Sequence, residues 1–158
     1  MNRILALLCV GLLLPVASAG VPPLTLADLC HDATRIVRGV VKGSSTRWEG
    51  SMIVTDWEIE PLANYKGEGT KTFKVKVPGG RLAGLVMRAG EAPRLRAGEE
   101  VILFLRPGVG ACDVFGWFRG KYTVAGGRIR EKSGVTLKAF EAAIRKWVSA
   151  ATEGGKGR

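Results

Sequence analysis

Histidine occurs once in the chain, as His31 beside Cys30, and a nucleophile working through a general base would need that imidazole. The adjacent thiol is expected to be oxidised, so His31 has nothing to activate. Asp56, Glu58 and Glu60 share one face of the alternating stretch SMIVTDWEIEPL, an arrangement paired carboxylates could use for acid–base work. The wet face of an amphipathic strand with lysines nearby produces the same pattern, and we adopt that reading. No catalytic residue, metal ligand set or cofactor is expected.

The third chemical feature is VPGGRLAGLVMRAGEAPRLRAG, residues 77–98, with five glycines, two prolines and four arginines around the apolar triplet Leu85, Val86 and Met87. It lacks the Gly-Lys-Ser/Thr ending of a nucleotide-binding P-loop, and no helix signal follows it. Pro78-Gly79-Gly80 reads as the turn that ends a strand, and Gly90 and Gly98 fall where turns need a permissive backbone. Two readings of the remainder stand. Leu85 and Met87 cap an open barrel end beneath solvated arginines, or Arg81, Leu85, Met87, Arg88, Arg94 and Arg96 form a binding loop with an apolar centre and an arginine rim. Such a rim suits an acidic protein or an anionic glycan. Trp48, in the polar hairpin tip SSTRWEGS, has no evident core to enter and joins the candidate binding set.

The elements that must position these residues read as mainly β. Thr25 followed by Asp28 signals a capped start for the short helix TLADLCHD, ending near His31. RIVRGVVKG, SMIVTDWEIEPL, TFKVKV and VILFLR read as strands, the last buried on both sides. CDVFGWFRGKYTVAGGRIR reads as a bulged strand or hairpin with bends at Gly116 and Gly120. In TLKAFEAAIRKWVSAAT, Leu137, Phe140, Ile144, Trp147, Val148 and Ala151 recur at helical spacing and predict a C-terminal amphipathic helix. Five or six strands, a crossing loop and a terminal helix predict a small OB-like Greek-key barrel.

Residues 1–19 carry Arg3, an apolar run over residues 4–16 and the small-residue pattern Ala17-Ser18-Ala19, the features of a cleaved secretory signal peptide. The expected organisation is a signal peptide over 1–19, one barrel domain with its helix over 20–152, and a disordered tail over 153–158. Cleavage leaves 139 of the 158 residues and, through loss of Arg3, lowers the net charge from +10 to +9. Export to the periplasm or beyond, without stable membrane insertion after cleavage, is the expected fate. A basic surface favours acidic proteins, polyanionic glycans or an anionic membrane surface. The basic residues are spread along the chain rather than clustered, and an exported protein meets little nucleic acid, so no nucleic-acid partner is expected. Cys30 and Cys112 remain after cleavage, an even pair expected to form one disulfide worth roughly 4 to 5 kcal/mol on the chain-entropy model. A metal site is the alternative, and it has no Cys-x-x-Cys pair to build on.

The order LCHDATRIVRGVV, IVTDWEIEPLANYKG, TFKVKVPGG, AGEEVILFL and ACDVFGWF resembles the inhibitory domain of tissue inhibitors of metalloproteinases and related netrin-like modules, over about residues 29–118. The resemblance implies an OB barrel, a disulfide between Cys30 and Cys112, and binding of an exported protein partner such as a protease. Those inhibitors chelate the protease zinc through an N-terminal cysteine, whereas cleavage here is expected to leave Gly20-Val21-Pro22-Pro23. The chain is also similar to a group of exported bacterial proteins sharing the pieces Trp48-Glu49-Gly50, Val54-Thr55-Asp56, Lys66-Gly67, Val77-Pro78-Gly79-Gly80, Gly90-Glu91-Ala92-Pro93 and Arg119-Gly120-Lys121-Tyr122, a likeness that implies export but no particular activity. The functional expectation is a non-catalytic binding protein, either a protein-binding module of the inhibitor or netrin-like kind or a basic binder of an anionic envelope polymer.

Overall fold

The computed structural model describes residues 24–154. The expected signal peptide and cleavage site, the Val21-Pro22-Pro23 segment and the end of the predicted tail lie outside the described residues. The chain opens with α1 (Leu26–Asp32), begun by the reciprocal cap read from the sequence: the Thr25 N–H donates to Asp28 Oδ2 at 2.8 Å and the Asp28 N–H to Thr25 Oγ1 at 3.2 Å. At its other end the Lys66 ammonium donates to the carbonyls of Cys30 and His31, at 2.9 and 2.8 Å, where the helix leaves acceptors unpaired.

The strands follow as β1 (Arg35–Glu49), β2 (Met52–Lys66), β3 (Phe73–Leu82), β4 (Leu85–Arg88), β5 (Glu100–Pro107), β6 (Cys112–Val114), β7 (Lys121–Ala125) and β8 (Arg128–Ile129), with a 3-10 turn over Trp117–Gly120 and α2 over Leu137–Gly154. Strands β1, β2, β3, β6 and β5 close on one another, since β5 also pairs with β1 along Arg35↔Leu105 to Val40↔Glu100. The pairing of β3 with β6 is parallel and every other pairing is antiparallel, the order of an OB-like Greek-key barrel. Strands β4, β7 and β8 are additions to that closed five-stranded ring.

Strand β5 explains how one wall serves two cores. Val101, Leu103 and Leu105 point into the barrel with Val37, Val41, Ile59, Val75, Val77 and Leu95, while Ile102 and Phe104 point outward against Leu29, Cys30, Tyr122, Phe140 and Ile144. All five of these β5 side chains are fully buried, as an apolar run without alternation requires. Helices α1 and α2 pack against each other over the outer core. Phe140 and Ile144 face inward as the helical spacing predicted, but Trp147 stays exposed, because the buried stripe of α2 is narrower than its apolar one. The helix also runs to Gly154, two residues beyond the predicted end of the domain.

The long connection read from residues 77–98 is largely not a loop. Strand β3 continues through Pro78-Gly79-Gly80 to Leu82 and folds back as β4 across Ala83 and Gly84, both at positive φ (48° and 81°). Gly80 permits this because it lies against the β1–β2 hairpin: a Cβ built there would overlap Thr55 Oγ1 and come within 3.0 Å of Thr46 Cγ2. The β1–β2 hairpin is likewise longer than expected. Ser44 to Glu49 belong to β1, and the turn shrinks to Gly50 and Ser51.

The expected disulfide does not form. Cys30 is a free thiol in the outer core and Cys112 a free thiol on β6 against the barrel interior, so the sheet places them in different layers. Burial pushes the Cys30 thiol up to about 11 and also raises that of Cys112, so both are protonated at neutral pH.

Candidate functional site

The site is assembled from three segments. Strands β2 and β3 contribute Thr55, Trp57 and Val77; the β3–β4 hairpin contributes Gly79, Gly80, Met87 and Arg88; and the connection to β5 contributes Ala92, Pro93, Arg94, Leu95 and Arg96. Together they line an open groove of about 660 Å³.

The hairpin wall is held by side chains that reach across it. Thr55 Oγ1 donates to the Gly79 carbonyl at 2.7 Å, and the Ile53 N–H points at Met87 Sδ at 3.3 Å. The opposite wall is pinned at both ends. The Phe118 N–H donates to the Glu91 carbonyl at 3.0 Å, the Gly98 N–H to the Val41 carbonyl at 2.7 Å, and the Arg96 N–H to Glu99 Oε1 at 3.0 Å. Glu99 is fixed in turn by Lys121 at 3.2 Å. Between these anchors residues 93–96 alternate: Pro93 and Leu95 are buried, Arg94 and Arg96 exposed. Leu95 enters the barrel core, and this plants the two arginines at fixed positions on the rim.

Of the residues singled out from the sequence, Met87, Arg88, Arg94 and Arg96 line this groove. Trp48, Arg81 and Leu85 do not; they lie at the far ends of the two hairpins. The expectation that Leu85 and Met87 cap the barrel is not met. Leu85 and Val86 are exposed, and Pro93 and Leu95 are the residues buried beneath this connection.

The surface cations fall into paired and unpaired sets, and the arginines of the groove belong to the unpaired set. Several cations outside the groove are matched: Arg38 pairs with Glu141 at 3.1 Å, Lys42 with Glu60 at 2.8 Å, Arg47 with Asp56 at 3.0 Å, and Lys76 with Glu49 at 3.2 Å. The contacts from Lys76 and Arg47 hold the Glu49 carboxyl below the usual carboxylate range. Arg106 and Arg119 lie over Phe115 and Phe118. Among the described residues, Arg81, Arg88, Arg94 and Arg96 have no carboxylate within ion-pair distance and no side-chain hydrogen bond. Three of these unpartnered guanidinium groups, Arg88, Arg94 and Arg96, line the groove.

The carboxylates read as a wet strand face behave in two ways. Glu58 and Glu60 are exposed, whereas Asp56 is buried between Arg47 and the register position of Lys76. Asp56 is therefore a structural ion-pair member rather than a solvated group. His31 is exposed at the end of α1, 2.7 Å from Asp32 and outside the groove.

Reading the sequence alone missed Trp57 and Val77 as groove residues, because apolar side chains in alternating strands signal only core, and Leu95, because it stands between two arginines in the connection to β5. It also missed Trp117 and Phe118, half-exposed on the 3-10 turn behind the arginine loop. Trp117 has φ 56°, uncommon for a bulky residue, and follows Gly116 at φ 76°. No helix among the described residues is long and apolar enough to cross a membrane. No protein-family model matches the chain, and no curated protein is similar enough to it to stand as a relative.

Proposed function

We propose that this chain is an exported, non-catalytic binding module that holds an acidic, extended segment of a partner protein in the groove between the β3–β4 hairpin and the loop over residues 89–99. The observation that carries this reading is the coincidence of unpaired Arg88, Arg94 and Arg96 with a groove whose lining includes Trp57, Val77, Met87 and Leu95. An unpaired guanidinium offers two parallel donors to a carboxylate, and apolar lining beneath it rewards alternate side chains of an extended chain. Strands β2 and β3 and adjoining loops are elements with which barrels of this topology contact ligands, and they supply this lining.

The test is fluorescence anisotropy with a labelled peptide alternating glutamate and leucine. Saturable binding is expected at moderate salt, weakened about tenfold or more in an Arg94→Glu/Arg96→Glu variant, since each charge-assisted contact contributes roughly 1.5–3 kcal/mol. Equal affinity in wild type and variant would remove the groove from consideration. A second reading, a binder of anionic envelope polymer, is favoured by the excess of 24 basic over 14 acidic residues. It predicts that heparin displaces the peptide and that affinity collapses with salt in proportion to the charges neutralised.

A further inference from the structure

The two hairpins that frame the groove project past it, and their ends carry apolar side chains that nothing in the fold covers. Trp48 and Met52 flank the β1–β2 turn and are 49% and 43% exposed; Leu85 and Val86 follow the β3–β4 turn and are 57% and 52% exposed. The register brings these ends together. Trp48 stands opposite Ile53, and Thr46 opposite Thr55, so Trp48 is on the hairpin face that meets Gly80 and Met87. Leu85 is two residues before Met87 and shares its face of β4, which directs it toward that same end. Arg81 lies across from Val86, with Arg88 two residues beyond it, and neither guanidinium has an acidic partner among the described residues.

We propose that these paired hairpin ends dock peripherally on an anionic lipid bilayer, with Trp48, Leu85, Val86 and Met52 entering the headgroup boundary and Arg81 and Arg88 lying against lipid phosphates. The mixture suits a membrane-facing surface. A tryptophan and aliphatic side chains sit on two hairpin ends, cations flank them, and the net charge expected after loss of Arg3 is +9, from +10 for the full chain. Shallow insertion of a few apolar side chains combined with electrostatic attraction suffices for reversible membrane binding. The apolar part of the site is distinct from the groove, since Trp48, Met52, Leu85 and Val86 are absent from its lining; Arg88 stands on the border of the two.

The experiment is co-sedimentation of the purified mature protein with vesicles of phosphatidylcholine alone and of an equal mixture of phosphatidylcholine and phosphatidylglycerol. Binding is expected only to the anionic vesicles, weakened about fivefold by Arg81→Gln and at least about tenfold by Leu85→Asp. Bromine-labelled phosphatidylcholine included in the mixture should quench the protein's fluorescence, and Trp48→Phe should remove most of that quenching. The acidic peptide should still bind Leu85→Asp with wild-type affinity, which shows that the variant is folded and separates the two sites. Equal binding of wild type and Leu85→Asp to anionic vesicles, or quenching that survives Trp48→Phe, would overturn the proposal. So would a concentration-dependent dimer in sedimentation equilibrium that Leu85→Asp dissolves, which would make a second copy of the chain the occupant.

Discussion

At the scale of single residues, the groove depends on Gly80 more than on any side chain it displays. The backbone there takes φ 146°, and the space a Cβ would fill is occupied by Thr55, Thr46 and Ile53. Gly80→Ala must therefore either push the β3–β4 hairpin off the β1–β2 hairpin or displace Thr55 from the Gly79 carbonyl it binds. Urea denaturation should show a loss of about 1–3 kcal/mol. Affinity for the acidic peptide should fall with it, because Met87 and Arg88 are carried on the displaced strand. A variant as stable as wild type would mean that the hairpins are not in contact. From sequence, Pro78-Gly79-Gly80 reads as the turn that ends a strand. Turn chemistry and a close approach between hairpins call for the same residue, and only the second neighbour, Thr55, distinguishes them.

At the scale of elements, legibility followed how strongly each pattern repeats. The capped α1, the alternation of β2 and β3, the continuous apolar run of β5 and the apolar periodicity of α2 were all readable, because burial on one face or on both leaves a period in the residue types. The β3–β4 hairpin was not, for a chemical reason. Its two-residue turn, Ala83-Gly84, puts both residues at positive φ, where Asn-Gly or Asp-Gly is the usual signal and alanine is not. Ala83 at φ 48° is thus a small local strain that hides the hairpin from a reader of the sequence. Ala83→Asn should relieve it and raise stability by roughly 0.5–1 kcal/mol, measured as a shift in urea midpoint at unchanged slope. No Cβ-sized obstruction exists at the neighbouring Gly84, so the turn has room for the change. An unchanged or lower midpoint would mean that this turn is not of the kind its φ angles describe.

At the scale of the whole molecule, the barrel and the helical layer are two cores sharing one strand. The expected disulfide would have tied the start of the domain to its later strands. With Cys30 in the outer core and Cys112 against the inner one, that role passes to β5, whose successive side chains enter the two cores alternately. A pair of cysteines suggests a bond from sequence alone, but the layer each one enters depends on closure of the whole sheet. If β5 couples the cores, damage to one must be felt in the other. Ile144 on α2 is fully buried against the outer face and touches no part of the barrel interior cluster. Ile144→Ala should cost about 2–5 kcal/mol, and the same loss should appear in far-ultraviolet circular dichroism and in hydrogen exchange of Val75 and Val37 inside the barrel. Coincident transitions would establish a single cooperative unit in which the helix layer stabilises the groove from the opposite side of the wall. If the barrel amides kept their protection while the helix melted, the layers would unfold separately, and the groove would owe its shape to the barrel alone.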